Sequence, residues 1–113
     1  MQVEFTKEDG VLTALLSGEL DHHGAGDIRG RIDAAALSYR CRLLVLDFSG
    51  ISFMDSSGIG LIMGRYRLML SLEGQLRLQG VSGRLERMIR LAGLDKLPIW
   101  NTQERKEHHE THQ

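Results

Sequence analysis

A chain of 113 residues suits one compact domain with a single core and is too short for two. Its 14 basic and 15 acidic residues leave a net charge of −1, which excludes the basic field of a nucleic-acid-binding protein and any partner chosen by bulk charge. The single cysteine, Cys41, can form no internal disulfide, so a reducing compartment, the cytoplasm, is expected.

The opening QVEFTKEDGVLTALLSGEL predicts a hairpin: Val3 and Phe5 alternate with polar residues, Glu8-Asp9-Gly10 turns the chain, and VLTALL resumes an extended apolar pattern. From Asp21 to Arg40 the period changes to threes and fours, placing Ala25, Ile28, Ile32, Ala35, Ala36 and Tyr39 on one helix face. Gly24, Gly26 and Gly30 oppose that helix by roughly 1 kcal/mol each relative to Ala. LLVLDF, residues 43–48, is a short continuous apolar run, the pattern of a central strand covered on both faces by helices.

After the turn DSSG, residues Ile59, Ile62, Met63, Tyr66, Met69 and Leu70 define an amphipathic helix that glycine at 74 ends. QLRLQGV alternates again, with Leu76 and Leu78 inward, as a strand near a sheet edge. Ser82 caps a further helix whose inner face is Leu85, Met88, Ile89 and Ala92. KLPIW offers a last short strand, confined to an edge by Pro98. Beyond Trp100, NTQERKEHHETHQ holds nothing apolar and reads as a polar tail with at most a short solvated helix. Its HHETH is not H-E-x-x-H, because one residue separates Glu110 from His112, so no metal site is expected.

The fold class is therefore α/β: a single domain over residues 1–100, with a mixed, mostly parallel sheet of four to five strands after an N-terminal hairpin and helices packed against it. The start of the chain lacks the basic and continuously apolar segments of a signal peptide, and no run approaches the ~18 apolar residues of a membrane span. A soluble monomer without nucleic-acid or membrane partners is the expectation.

Two turns at the carboxyl ends of strands carry the polar residues. They are GELDHHG (residues 18–24) and FMDSSG (residues 53–58). If the preceding strands are parallel neighbours, Asp21, His22, His23, Asp55, Ser56 and Ser57 share one edge. Helix capping accounts for Asp21 and for either Asp55 or Ser56, and exposure at a helix start accounts for His22 and His23. A serine hydrolase is the sharper alternative, but DSSG is not the G-x-S-x-G elbow and no catalytic residue is assigned. A third reading is a switch. A hydroxyl at an exposed strand-to-helix turn is open to a kinase, and the helix N-terminus tolerates the added charge of about −1.5 to −2.

GELDHH followed by LLVLDFSGISFMDSSGIGLIMGRY resembles the STAS family of anti-sigma factor antagonists, in its sporulation, sigma F branch, and RLERMIRLAGLDKL resembles that family's third helix. The resemblance implies a regulator of transcription by partner switching that is not an enzyme. Unphosphorylated, it binds an anti-sigma factor that is also a serine kinase and frees the sigma factor; phosphorylation at Ser56, the serine after the motif aspartate Asp55, ends the interaction, and a serine phosphatase restores it. Ser57 and Gly58 match the rest of the motif, and Asp21 matches an acidic position of the contact surface, with His22 and His23 beside it. No cofactor of its own is implied, ATP or ADP being held by the kinase. STAS domains also serve as soluble subunits of lipid transporters and in stress-signalling complexes, which are the alternatives within the family.

Overall fold

The computed structural model describes residues 1–100 of the chain. The expected polar tail and HHETH lie outside the described residues. Strand β1 (Gln2–Glu8) turns through Asp9 and Gly10, both at positive φ, into β2 (Val11–Leu20). Helix α1 (His22–Tyr39) leads to β3 (Leu43–Met54), α2 (Ser56–Ser71) to β4 (Gln75–Gln79), and α3 (Gly83–Ile89) runs into a wider turn over Arg90–Leu94 that is kinked at Gly93.

The four strands form one sheet in the order β1-β2-β3-β4, antiparallel in the first pair and parallel in the other two. Leu12, Leu44 and Leu76 are register partners across three strands, as are Ala14, Leu46 and Leu78, and all six are buried. On this face α1 sets Ile28, Ile32 and Ala36 and α2 sets Ile62 and Met69 into one core. The rows alternate because successive strand side chains point to opposite faces.

Several expectations are corrected. Helices do not cover both faces of β3 among the described residues: Val45 is buried on the second face, but Asp47 is half-buried there and its neighbour Leu15 is exposed. Asp95 to Trp100 form turns and no strand; Ile99 only offers its carbonyl to the Leu78 N–H at 2.7 Å. The inner face of α2 keeps Ile62 and Met69 as expected, with Ile59, Met63 and Tyr66 packed against the core, but its margin differs: Leu61 and Arg65 are buried while Leu70 is 55% exposed. Ala92 is likewise exposed, and Leu94 is buried beyond the kink. Glu73, not Gly74, takes the left-handed conformation after α2, at φ 58°. Gly74 is required by contact, since a Cβ there would lie 2.9 Å from the Arg42 carbonyl oxygen and 2.7 Å from Met69 Cε.

The largest difference is the length of β3. Its pairing with β4 ends at Asp47, but β2 and β3 stay paired from Ser17 to Leu20 and from Gly50 to Met54, through two register irregularities. Gly18 (φ 107°) sits at one irregularity, the backbone conformation glycine supplies without a Cβ penalty. The two strands thus run past their neighbours as a parallel ribbon, and the ribbon's end carries the two polar turns.

Candidate functional site

Neither turn is a loop. β2 ends at Leu20 and α1 begins at His22, while β3 ends at Met54 and α2 begins at Ser56, so one aspartate makes each connection. Leu20 and Met54 are register partners, and the Asp55 N–H reaches the Leu20 carbonyl at 3.4 Å. This parallel pairing brings Asp21 and Asp55 to one edge.

Both aspartates cap their helices. Asp21 Oδ1 accepts the Gly24 N–H at 2.8 Å, and Asp55 Oδ1 accepts the Ser57 N–H at 2.8 Å. Each side chain satisfies one of the first N–H groups of a helix, which have no carbonyl partner within it. Gly24 and Gly58 hold the turns close to the core. A Cβ on Gly24 would lie 2.3 Å from the Glu19 carbonyl oxygen, and one on Gly58 would lie 2.4 Å from Met54 Cγ.

The serines differ. Ser56 is exposed at the first position of α2, with its hydroxyl free of any hydrogen bond to the described residues. Ser57, half-buried, turns with His22, Ala25, Gly26, Arg29, Gly60 and Leu61 into a groove of about 320 Å³ between α1 and α2. His22 and His23 are exposed, their rings edge to face at 6.2 Å. Since both aspartates spend an oxygen on a cap, and neither histidine is hydrogen-bonded to a serine or an aspartate among the described residues, the side chains do not form a hydrolytic relay.

Beyond the groove's lining residues lies an ion pair. One helical turn beyond Leu61 and Arg29, Arg65 of α2 reaches across to Asp33 of α1. Its Nε lies 2.8 Å from Asp33 Oδ1, a contact too poorly aligned to be a hydrogen bond, and its Nη2 donates to Oδ2 at 3.3 Å. Arg65 is 6% exposed. Burial lowers its pKa, the Asp33 carboxylate opposes that shift, and the Arg29 charge adds to it.

Sequence patterning identified Asp21 as a cap and left the second cap between Asp55 and Ser56, and the choice of Ser56 over Ser57 came from the family resemblance; it missed Ala25, Gly26, Arg29, Gly60 and Leu61 as groove residues, which depend on how α1 and α2 lie together. It also missed Phe53, 42% exposed at the tip of the ribbon. The available signals were the glycines inside both helices, each unfavourable for a helix.

Residues 2–108 match the STAS domain family. The anti-sigma F factor antagonist of Paenibacillus polymyxa is 38% identical over 104 residues, spanning 91% of this chain and 89% of that protein. Two solved structures of the antagonist SpoIIAA align over 96% of this chain and 98% of theirs with a TM-score of 0.69: the unphosphorylated form at 26% identity, and the phosphorylated form, from Bacillus, at 28%. The sheet order, the one-residue turns and these relatives lead to one conclusion: the chain belongs to the STAS domain family.

Proposed function

We infer that this protein is an anti-sigma factor antagonist switched at Ser56. Unphosphorylated, it binds an anti-sigma factor with serine kinase activity and frees a sigma factor; phosphorylation of Ser56 ends binding, and a serine phosphatase resets the cycle. The nucleotide belongs to the kinase, and this chain contributes no catalytic group.

The observation that carries the reading is the exposure of the Ser56 hydroxyl directly after the capping Asp55, beside Asp21 on the same edge. A kinase needs such a hydroxyl free and protruding. The helix N-terminus can hold a phosphate without unfolding, because its dipole and free N–H groups favour negative charge. At an interface the same charge, close to two carboxylates, must be desolvated or repelled. Support also comes from relatives named anti-sigma F factor antagonist and from a relative solved in its phosphorylated form.

The test is incubation with the cognate anti-sigma factor and ATP, followed by mapping of phosphate by mass spectrometry. Phosphate is expected at Ser56 and absent in Ser56→Ala. Ser56→Ala should bind the anti-sigma factor as the unmodified protein does, and Ser56→Asp should bind at least about tenfold more weakly, with both variants folded by circular dichroism. Phosphate on Ser57 alone, or no complex with the anti-sigma factor, sinks the reading.

A further inference from the structure

We propose that the groove between α1 and α2 is a second contact site, which takes an acidic segment of the anti-sigma factor. This rests on the functional reading above and goes beyond the phosphorylated turn, since it assigns binding to residues that neither cap a helix nor carry phosphate.

Three observations converge. The first is shape: Ala25 and Gly26 of α1 face Gly60 and Leu61 of α2 across a space of about 320 Å³. A Cβ on Gly26 or Gly60 would meet nothing within 4 Å. Unlike Gly24 and Gly58, these glycines are not needed for packing inside the chain, although each costs its helix about 1 kcal/mol relative to Ala. What they provide is an open floor on which another backbone can lie.

The second is charge. The ionisable groups lining the groove are Arg29 and His22, with no carboxylate among its lining residues. Asp33 is offset by Arg65, and the capping carboxylates Asp21 and Asp55 stand at the Ser56 end, which leaves Arg29 as the charge that faces an occupant further along the groove. Charge complementarity therefore selects an anionic occupant, and in a chain of balanced charge this local excess is not a consequence of composition.

The third is a buried cation one helical turn beyond the residues that line the groove. Arg65 spans from α2 to α1, and its Nη1 is buried with no hydrogen-bond partner among the described residues. The pair is neutral overall, but Nη1 is left as a buried donor that a carboxylate reaching beyond Arg29 would satisfy. The groove is also continuous with the switch surface through Ser57, so a partner seated on Ser56 can extend into it. An open channel along two helices suits a segment of polypeptide better than a small ligand, which would seek enclosure.

The experiment measures binding of the anti-sigma factor, in the presence of nucleotide, to the wild type and three variants. Gly60→Gln fills the groove, Arg29→Glu reverses its charge, and Ala34→Gln changes an exposed α1 residue that does not line the groove. Gly60→Gln should melt at or above the wild-type temperature, because it replaces a helical glycine without a clash, and should nevertheless bind about tenfold or more weakly. Arg29→Glu should lose a similar factor, and Ala34→Gln should match the wild type. Wild-type affinity in either groove variant overturns the proposal while leaving the functional reading intact, provided that Ser56 is still phosphorylated. A wild type that binds no anti-sigma factor overturns both. Sedimentation and a titration with inorganic phosphate cover the other occupants: a dimer dispersed by Gly60→Gln, or groove amide shifts produced by phosphate but not by the anti-sigma factor, would assign the groove to a second copy or a free anion and reject the proposal.

Discussion

Asp55 does two things with one side chain: it ends a strand and starts the helix that presents Ser56. Its oxygen accepts the Ser57 N–H, and Asp21 does the same for Gly24 on the neighbouring helix. Asp55→Ala removes that acceptor and is expected to cost about 1 kcal/mol, read as a lower urea midpoint with unchanged slope. Asp47, lower on the same strand, is held in a different way. Burial works against its ionisation, but the Ser49 N–H at 2.9 Å, the Gln79 amide at 2.8 Å and the Ser49 hydroxyl outweigh burial and lower its pKa. A lowered carboxylate contributes stability that is fully present above the unfolded value, about pH 4, and is lost as the pH falls through the folded value. Asp47→Asn should therefore be less stable than the wild type at neutral pH, and the urea midpoints should converge in acid, as the pH falls through the folded value. Equal separation in acid and at neutral pH would contradict this account. A cap at Asp55 or Ser56 was legible from the neighbouring residues in sequence, and the Ser57 N–H decides for Asp55. The hydrogen bond from Gln79 to Asp47 was not, because 32 residues separate its partners.

At the scale of elements, helix ends decide local strain. Arg40 and Glu73 follow α1 and α2 in the left-handed region, at φ 54° and 58°, where a Cβ is unfavourable. Glu73→Gly should relieve this and raise stability by about 0.5–1 kcal/mol, measured by thermal or urea denaturation. The position was misplaced by one residue in sequence, where Gly74 is the obvious stop; packing against Arg42 and Met69 claims that glycine instead. The apolar spacing in α2 located the helix and most of its inner face, since Ile62 and Met69 are buried and Ile59, Met63 and Tyr66 pack against the core, but it missed Leu61 and Arg65 and included the exposed Leu70. Arg65 took an inner position because Asp33 of α1 was there to pair with it, and a charged residue in an apolar stripe reads from sequence as a solvent-facing one. The three arginines of α3 and its extension also part company: Arg84 and Arg87 are exposed, but Arg90 pairs with Glu86 at 2.8 Å and lies 4.0 Å from the centre of the Trp100 ring.

For the whole molecule, stability resides in the face of the sheet under α1 and α2. Leu12, Leu44 and Leu76 form a row through three strands, with Leu44 central and inaccessible to solvent. Leu44→Ala should cost about 2–5 kcal/mol, more than any surface change, because a close-packed interior cannot collapse onto the missing side chain. A single cooperative transition shifted to lower denaturant is the expected result, with Asp55→Ala falling well inside that loss. No helix of the described residues is long and apolar enough to cross a membrane.

Local patterning was sufficient for the alternation of strands and helices, the hairpin, the helix starts at Asp21, at Asp55 or Ser56 and at Ser82, and a pair of serines in the second turn, because each depends on residues within a few positions of one another. The family resemblance was legible in two short motifs for the same reason. The folded chain was needed for everything that depends on distant partners. Only parallel pairing of Leu20 with Met54 brought the two turns to one edge, only contact between α1 and α2 made a groove from Gly26, Arg29 and Gly60, and only that contact buried Arg65. Periodicity shows that a face is apolar; what lies against it follows from how the elements pack.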